Sequence, residues 1–221
     1  MELEVLHLDP HILVVNKPGG LPSIADKTGD ACLLDRVRAH FVADTSLELP
    51  HRLDRPVSGA LVIARSREAL VGMNALFASR SVAKRYWAVV HGTPPDSGSW
   101  RHHLVHDART HRSRIAPDQG GAVAELSFRK LAQGDRYALL ELSPVGGVFH
   151  QLRAQCSAAG FPIKGDVKYG ARRGEPDRTV ALHAHTLSFV HPIDGGSLNI
   201  IAPPPRKPIW DALAALVVNR G

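Results

Sequence analysis

The apolar residues change period several times along the chain, and each change predicts an element. Ile12-Leu13-Val14-Val15 is a β-branched run that predicts a strand, ended where Lys17-Pro18-Gly19-Gly20 forces a turn. From Asp30, a candidate N-cap, residues Leu33, Leu34, Val37, Phe41 and Val42 recur at helical spacing, with Arg36, Arg38 and His40 off that face. Residues 61–64 read as a buried strand. Ser66 then caps a second predicted helix carrying Leu70, Met73, Leu76 and Phe77 toward the core. Residues 86–90 form a further strand, closed by Gly92 and the Pro94-Pro95-Asp96 turn. Strands resume at 124–131 and 137–142, and residues 151–159 predict a short helix stopped at Gly160. Residues 202–221 read as a connector, Ala202-Pro203-Pro204-Pro205, followed by an amphipathic helix over 209–218. Strands and helices mix without strict βαβ alternation, which predicts an α+β fold. No repeat or shift of composition marks a boundary, so residues 1–221 are expected to form one domain.

Composition narrows the class. The 221 residues are 44% hydrophobic and 22% charged, which excludes collagen-like, low-complexity and wholly disordered chains. The apolar stretch 212–218 is far too short to span a membrane. The opening MELEVLHLDP lacks the basic flank and apolar core of a signal peptide, so no membrane partner is expected. Cys32 and Cys156 show no CxxC spacing and read as reduced, buried thiols of a cytoplasmic protein. Twenty-seven Lys and Arg against 21 Asp and Glu leave a net charge of +6, with a pI near 9.7. Such a surface suits a polyanion. The excess is densest over 100–121, a predicted basic loop between strands that holds Arg101, Arg109, Arg112 and Arg114. His102, His103, His106 and His111 lie in the same stretch, but no cysteine or carboxylate joins them at ligand spacing. No metal site is expected there.

The sharpest local feature is His51-Arg52-Leu53-Asp54-Arg55-Pro56-Val57-Ser58-Gly59, a carboxylate between two arginines on a turn ahead of a buried strand. Physical chemistry alone favours a surface salt-bridge loop over a reactive site. The nonapeptide, however, resembles the HRLD-x-x-TSG signature of the RluA-type RNA pseudouridine synthases, with Val57 where threonine is usual. Further blocks resemble that family in order. They are Asn16-Lys17-Pro18-Gly19, the run Lys84-Arg85-Tyr86-Trp87-Ala88-Val89-Val90-His91-Gly92, and His150-Gln151-Leu152-Arg153. After these come Ile163-Lys164-Gly165-Asp166-Val167-Lys168-Tyr169-Gly170 and Leu182-His183-Ala184, the last followed by Leu187, Phe189 and His191-Pro192. The blocks reach from about residue 6 to residue 203, nearly the whole chain.

The resemblance implies a pseudouridine synthase fold, a mixed and largely antiparallel sheet flanked by helices. It is closest in style to compact RluA and TruC-like members without an N-terminal S4-type domain. It implies an isomerase that converts uridines of tRNA or rRNA to pseudouridine, with no metal or organic cofactor and no obligate protein partner. Carried over by position, Asp54 is the catalytic carboxylate, Tyr86 the tyrosine that stacks on the target uracil, and Arg153 the cation beside the carboxylate. Arg52 matches the arginine that helps displace the target base, where a planar guanidinium recovers part of the cost of unstacking. His51, Arg55, His150 and Gln151 are expected to contact RNA or the base, as are Arg101, Arg109, Arg112 and Arg114 of the basic segment. His183 is expected to be structural. Two departures stand out: Gly146 and Val148 occupy the threonine and arginine positions of the T-G-R that usually precedes the HQ block. They motivate an alternative, a non-catalytic RNA-binding or RNA-chaperone protein that keeps the fold. A glycosidase or nuclease would want a second carboxylate, for which Asp166 is the one candidate.

Overall fold

The computed structural model describes residues 3–26, 29–44, 46–116 and 120–218. In chain order its elements are β1 (Val5–Leu8), β2 (Ile12–Lys17), α1 (Leu33–His40), β3 (Ser58–Ala64), α2 (Arg67–Ala78), β4 (Ala83–His91), β5 (Ser97–Asp107) and β6 (Arg112–Ile115). They continue with β7 (Ala122–Gln133), β8 (Tyr137–Val145), α3 (Gln151–Ala158), a 3-10 turn (Val167–Tyr169), β9 (Leu182–Val190), β10 (Ser197–Ile201) and α4 (Pro208–Val218). The chain is α+β and divides into two compact units, one of residues 1–84 and 183–204, the other of residues 85–182 and 205–221.

In the first unit β2 pairs antiparallel with both β1 and β3, in register from Ile12 opposite Ala64 to Lys17 opposite Gly59. Every residue of β3 is buried, so the strand reads as a continuous apolar run. It meets β9 in parallel at Ser58 and Gly59, opposite His183 and Ala184. β10 returns antiparallel on β9. Val14, Val62, Met73, Leu187 and Phe189 form the center of the core beneath α2. Ser66 caps α2 as expected, its Oγ accepting the Ala69 N–H at 3.1 Å. At α1 the expectation fails. Cys32, not Asp30, is the N-cap, and Asp35 folds back onto the Cys32 N–H and thiol. Asp30 instead pairs with Arg55 at 2.5 Å. His183 is fully buried and structural. Its Nε2–H donates to the Ala202 carbonyl at 3.1 Å, so its Nδ1 accepts from the Ser58 hydroxyl at 2.9 Å.

In the second unit β4, β8, β7, β5 and β6 are consecutive antiparallel neighbours. The predicted basic loop over 100–121 is corrected here. Most of its described residues are strand, with β5 and β6 joined by a short turn at residues 108–111. Only Leu104 and Ser113 of this pair of strands are fully buried, so its composition reads as loop although its backbone is laddered. Leu104, Ala124, Ala154 and Tyr169 make a small core between the strands and α3, with Val148 packed at its edge. α4 lays Trp210 and Leu213 against β7 and β8.

Candidate active site

Asp54 stands on the turn that leads into β3. The turn is closed by the Val57 N–H donating to the Asp54 carbonyl at 3.0 Å, and the Val57 side chain is buried. A second loop, residues 18–23, holds this turn from below. The Gly20 N–H donates to the Arg55 carbonyl at 2.8 Å, and Arg55 Nε returns a bond to the Gly20 carbonyl at 3.0 Å. The Ser23 hydroxyl donates to the Leu53 carbonyl at 2.8 Å and accepts the Leu53 N–H at 3.2 Å. Lys17 ties both loops together. It is 0% exposed, and its ammonium donates to the carbonyls of Pro18, Leu21 and Arg55 at 2.9, 2.8 and 3.3 Å. An ammonium has three N–H donors, and all three are used. Burial lowers its pKa to about 7, while the nearby Asp54 carboxylate works against that fall.

Arg153 is held just as firmly in the second unit. Its Nε and Nη2 form a two-pronged pair with the Asp166 carboxylate at 2.7 and 2.8 Å, and the two side chains are 5% and 1% exposed as residues. The guanidinium carbon lies 5.1 Å from the center of the Tyr169 ring. Arg153 Nη1 reaches His150 Nε2 at 2.9 Å. A guanidinium can only donate, so Nε2 is the acceptor and the ring proton sits on Nδ1. Nδ1–H then donates to the Tyr169 hydroxyl oxygen at 2.9 Å, which also accepts the Ser113 N–H at 2.7 Å. Burial first, then the charges of Arg153 and Lys168, push the pKa of His150 down to about 3, so the imidazole is neutral. His150 adopts a left-handed backbone, φ 51°, at the N-cap of α3. His150 and Arg153, three apart at the start of α3, are thus brought side by side.

The other predicted residues separate into two groups. Two that were expected to contact RNA, His51 and Gln151, are turned into the fold instead, and a third, Arg55, is exposed but bonded to its neighbours. His51 Nε2 accepts the Val62 N–H at 3.0 Å and its ring stacks on Phe77 at 4.5 Å; burial and then the Lys84 charge lower its pKa to about 3. Gln151 is buried, with Oε1 accepting the Val148 N–H at 3.1 Å and Nε2 donating to the Glu125 carbonyl at 2.9 Å. Arg55 is committed to Gly20, Asp26 and Asp30. Arg52 is exposed, with no hydrogen-bond or ion-pair partner among the described residues. Tyr86 is half-buried on β4 opposite Leu142, and Trp87 lies opposite Glu141. In the basic strands Arg101 pairs with Glu125 at 2.6 Å and Arg114 lies 3.4 Å from Asp107, whereas Arg109 and Arg112 are exposed and carry no such pair among the described residues. Asp166, entertained as a second catalytic carboxylate, is the partner of Arg153.

Reading the residue types missed Lys17, Ser23 and Tyr169 as parts of the site, and weighed Asp166 only as a second carboxylate rather than as the partner of Arg153. Lys17, Asp166 and Tyr169 fall inside the recurring blocks, which was the one signal available for them; Ser23 carried none.

Residues 11–158 match the RNA pseudouridylate synthase family. The ribosomal large subunit pseudouridine synthase C of Vibrio cholerae serotype O1 is 33% identical over 211 residues, covering 91% of this chain and 66% of that protein. The tRNA pseudouridine synthase C of Pectobacterium carotovorum subsp. carotovorum is 32% identical over 232 residues, covering 95% of this chain and 60% of the relative. The chain therefore spans less than two thirds of the length of these relatives. Among solved structures, human RNA Pseudouridylate Synthase Domain Containing 1 superposes with a TM-score of 0.80 at 29% identity, covering 96% of this chain and 87% of the other.

Proposed function

Because the chain belongs to the RNA pseudouridylate synthase family, we propose that it isomerises particular uridines of ribosomal or transfer RNA to pseudouridine, with Asp54 as the essential carboxylate. In that reaction the glycosidic C–N bond is broken, the uracil is turned, and a C–C bond to the same ribose is made, with no net gain or loss of atoms. The observation that carries the reading is the fixed turn under Asp54. A buried ammonium and a buried serine hold its backbone in place, as a nucleophile or base requires. Arg153 is assigned as the cation of the same reaction. Its guanidinium is fixed on three sides by Asp166, His150 and the Tyr169 ring, which supports a positional task. Tyr86 is assigned as the stacking ring, and the exposed Arg52 as the residue that fills the gap left by the extruded base.

The names of the ribosomal and transfer RNA relatives support RNA as the substrate and a cytoplasmic setting, and the two free, buried thiols agree with a reducing compartment. No described helix is long and apolar enough to cross a membrane.

The test is incubation of the purified protein with unfractionated tRNA and with ribosomal RNA, followed by site-resolved pseudouridine detection. The wild type is expected to convert one or a few uridines and Asp54→Asn none, with RNA binding retained. Equal conversion by Asp54→Asn would remove the carboxylate from the mechanism. RNA binding without product in either protein would put the non-catalytic reading in its place.

A further inference from the structure

We propose that a cleft between β6, α3 and the 3-10 turn is a binding site for an RNA backbone phosphate, built from Arg112, Arg114, Lys168 and Ser157. This rests on the RNA reading above and adds a location to it. The cleft encloses about 380 Å3, and its lining contains three cations and two serines, Ser113 and Ser157, but no carboxylate. Arg112 and Arg114 stand two apart on β6, so their side chains leave the same face of the strand. Lys168 approaches from the other wall, its ammonium donating to the His111 carbonyl at 2.9 Å at the end of the β5–β6 turn. Ala154 and Ala158 of α3 are small, which keeps the space open.

Arg114 lies 3.4 Å from Asp107, whose Oδ1 already accepts the N–H groups of Arg109 and Thr110. Arg112 has no ion-pair partner among the described residues. A planar guanidinium with forked donors suits a phosphate oxygen pair. Tyr169, which also lines the cleft, bonds His150, and His150 bonds Arg153. A phosphate seated here therefore lies against Tyr169, one of the side chains that fix Arg153.

The test is fluorescence anisotropy of labelled unfractionated tRNA, with affinity measured between about 50 and 200 mM salt. Each neutralised phosphate contact contributes about 0.9 to the slope of log K against log salt. Arg112→Gln and Lys168→Gln are each expected to lower the slope by about that amount, and Arg112→Lys to restore it. Arg129→Gln, on an exposed arginine outside the cleft that pairs with Glu141, is the control and leaves the slope unchanged. An unchanged slope in Arg112→Gln, in a wild type that does bind RNA, overturns the cleft assignment and leaves the enzyme reading standing. Failure of the wild type to bind RNA overturns both. Inorganic tripolyphosphate should compete with the RNA, and Arg112→Gln should blunt that competition; equal competition by polyglutamate would instead mark a generic anion surface and overturn the phosphate site. Arg112→Gln removes no structural bond, so its fold, checked by circular dichroism, stays intact.

Discussion

A lysine placed wholly out of solvent costs several kcal/mol unless its charge and all three N–H groups are met. Lys17 meets that condition by gathering the carbonyls of Pro18, Leu21 and Arg55, two on the supporting loop and one on the turn that carries Asp54. Its contribution is thus one of position: it decides where the backbone of residues 54 and 55 lies. Lys17→Met keeps the length of the side chain and removes every donor, leaving three carbonyls in need of partners. The expected cost is about 3–5 kcal/mol in urea unfolding, with a fall in product formation at temperatures where the variant is still folded. A variant as stable and as active as the wild type would show that the two loops hold together without the ammonium.

Among the elements, β3 and β9 approach each other more closely than any side chain allows. At Gly59 the backbone has φ 119°, and a Cβ there would lie 2.3 Å from the Ala184 carbonyl oxygen. Gly59→Ala combines a left-handed backbone with a backbone clash that no rotamer relieves. It is expected to lower stability by more than about 3 kcal/mol, read as a drop in the urea midpoint. An unchanged midpoint would mean that the two strands can part without loss. The same strands explain what the sequence discloses. β2 and β3 are continuous apolar runs and α2 has a clear cap, so the pattern announces all three. The ladder of β5 and β6 is hidden because only Leu104 and Ser113 of it face a core, and arginines and histidines on the open side read as loop. α3 is announced as a helix, within one residue of its end, but its packing is not. Gln151, Arg153 and Gln155 are buried, which is tolerable only because Glu125, Asp166, Trp100 and Ala124 supply their partners from elsewhere in the chain. Asp54 was legible as a candidate through its nonapeptide. The residues that hold it and Arg153 in place were not, since their bonding depends on contacts that spacing along the chain does not encode.

For the molecule as a whole, pH sets the largest electrostatic demand. His51 and His183 are kept neutral by burial, with pKa values lowered to about 3 and about 4. In the unfolded chain each titrates near 6.5. Between pH 6.5 and about 4 the unfolded state therefore binds protons that the folded state refuses, and stability falls as pH falls through that window. Each histidine contributes a slope of up to about 1.4 kcal/mol per pH unit. Urea midpoints taken at about pH 7.5, 6 and 5 should decline steadily, with most of the loss below pH 6.5. A flat response over that range would show that neither ring is shielded from protons.

Cys32 and Cys156 bear on how such unfolding can be watched. Both are free and buried, one at the start of α1 in the first unit and the other within α3 in the second. Burial, with the Asp166 charge added, raises the Cys156 thiol to about 12, and Cys32 is raised by burial and by its bond to Asp35. Neither is a thiolate or within reach of a reagent while the chain is folded. The native protein thus carries a silent clock in each half, and alkylation at one or the other sulfur times the opening of its own unit without any label having to be engineered.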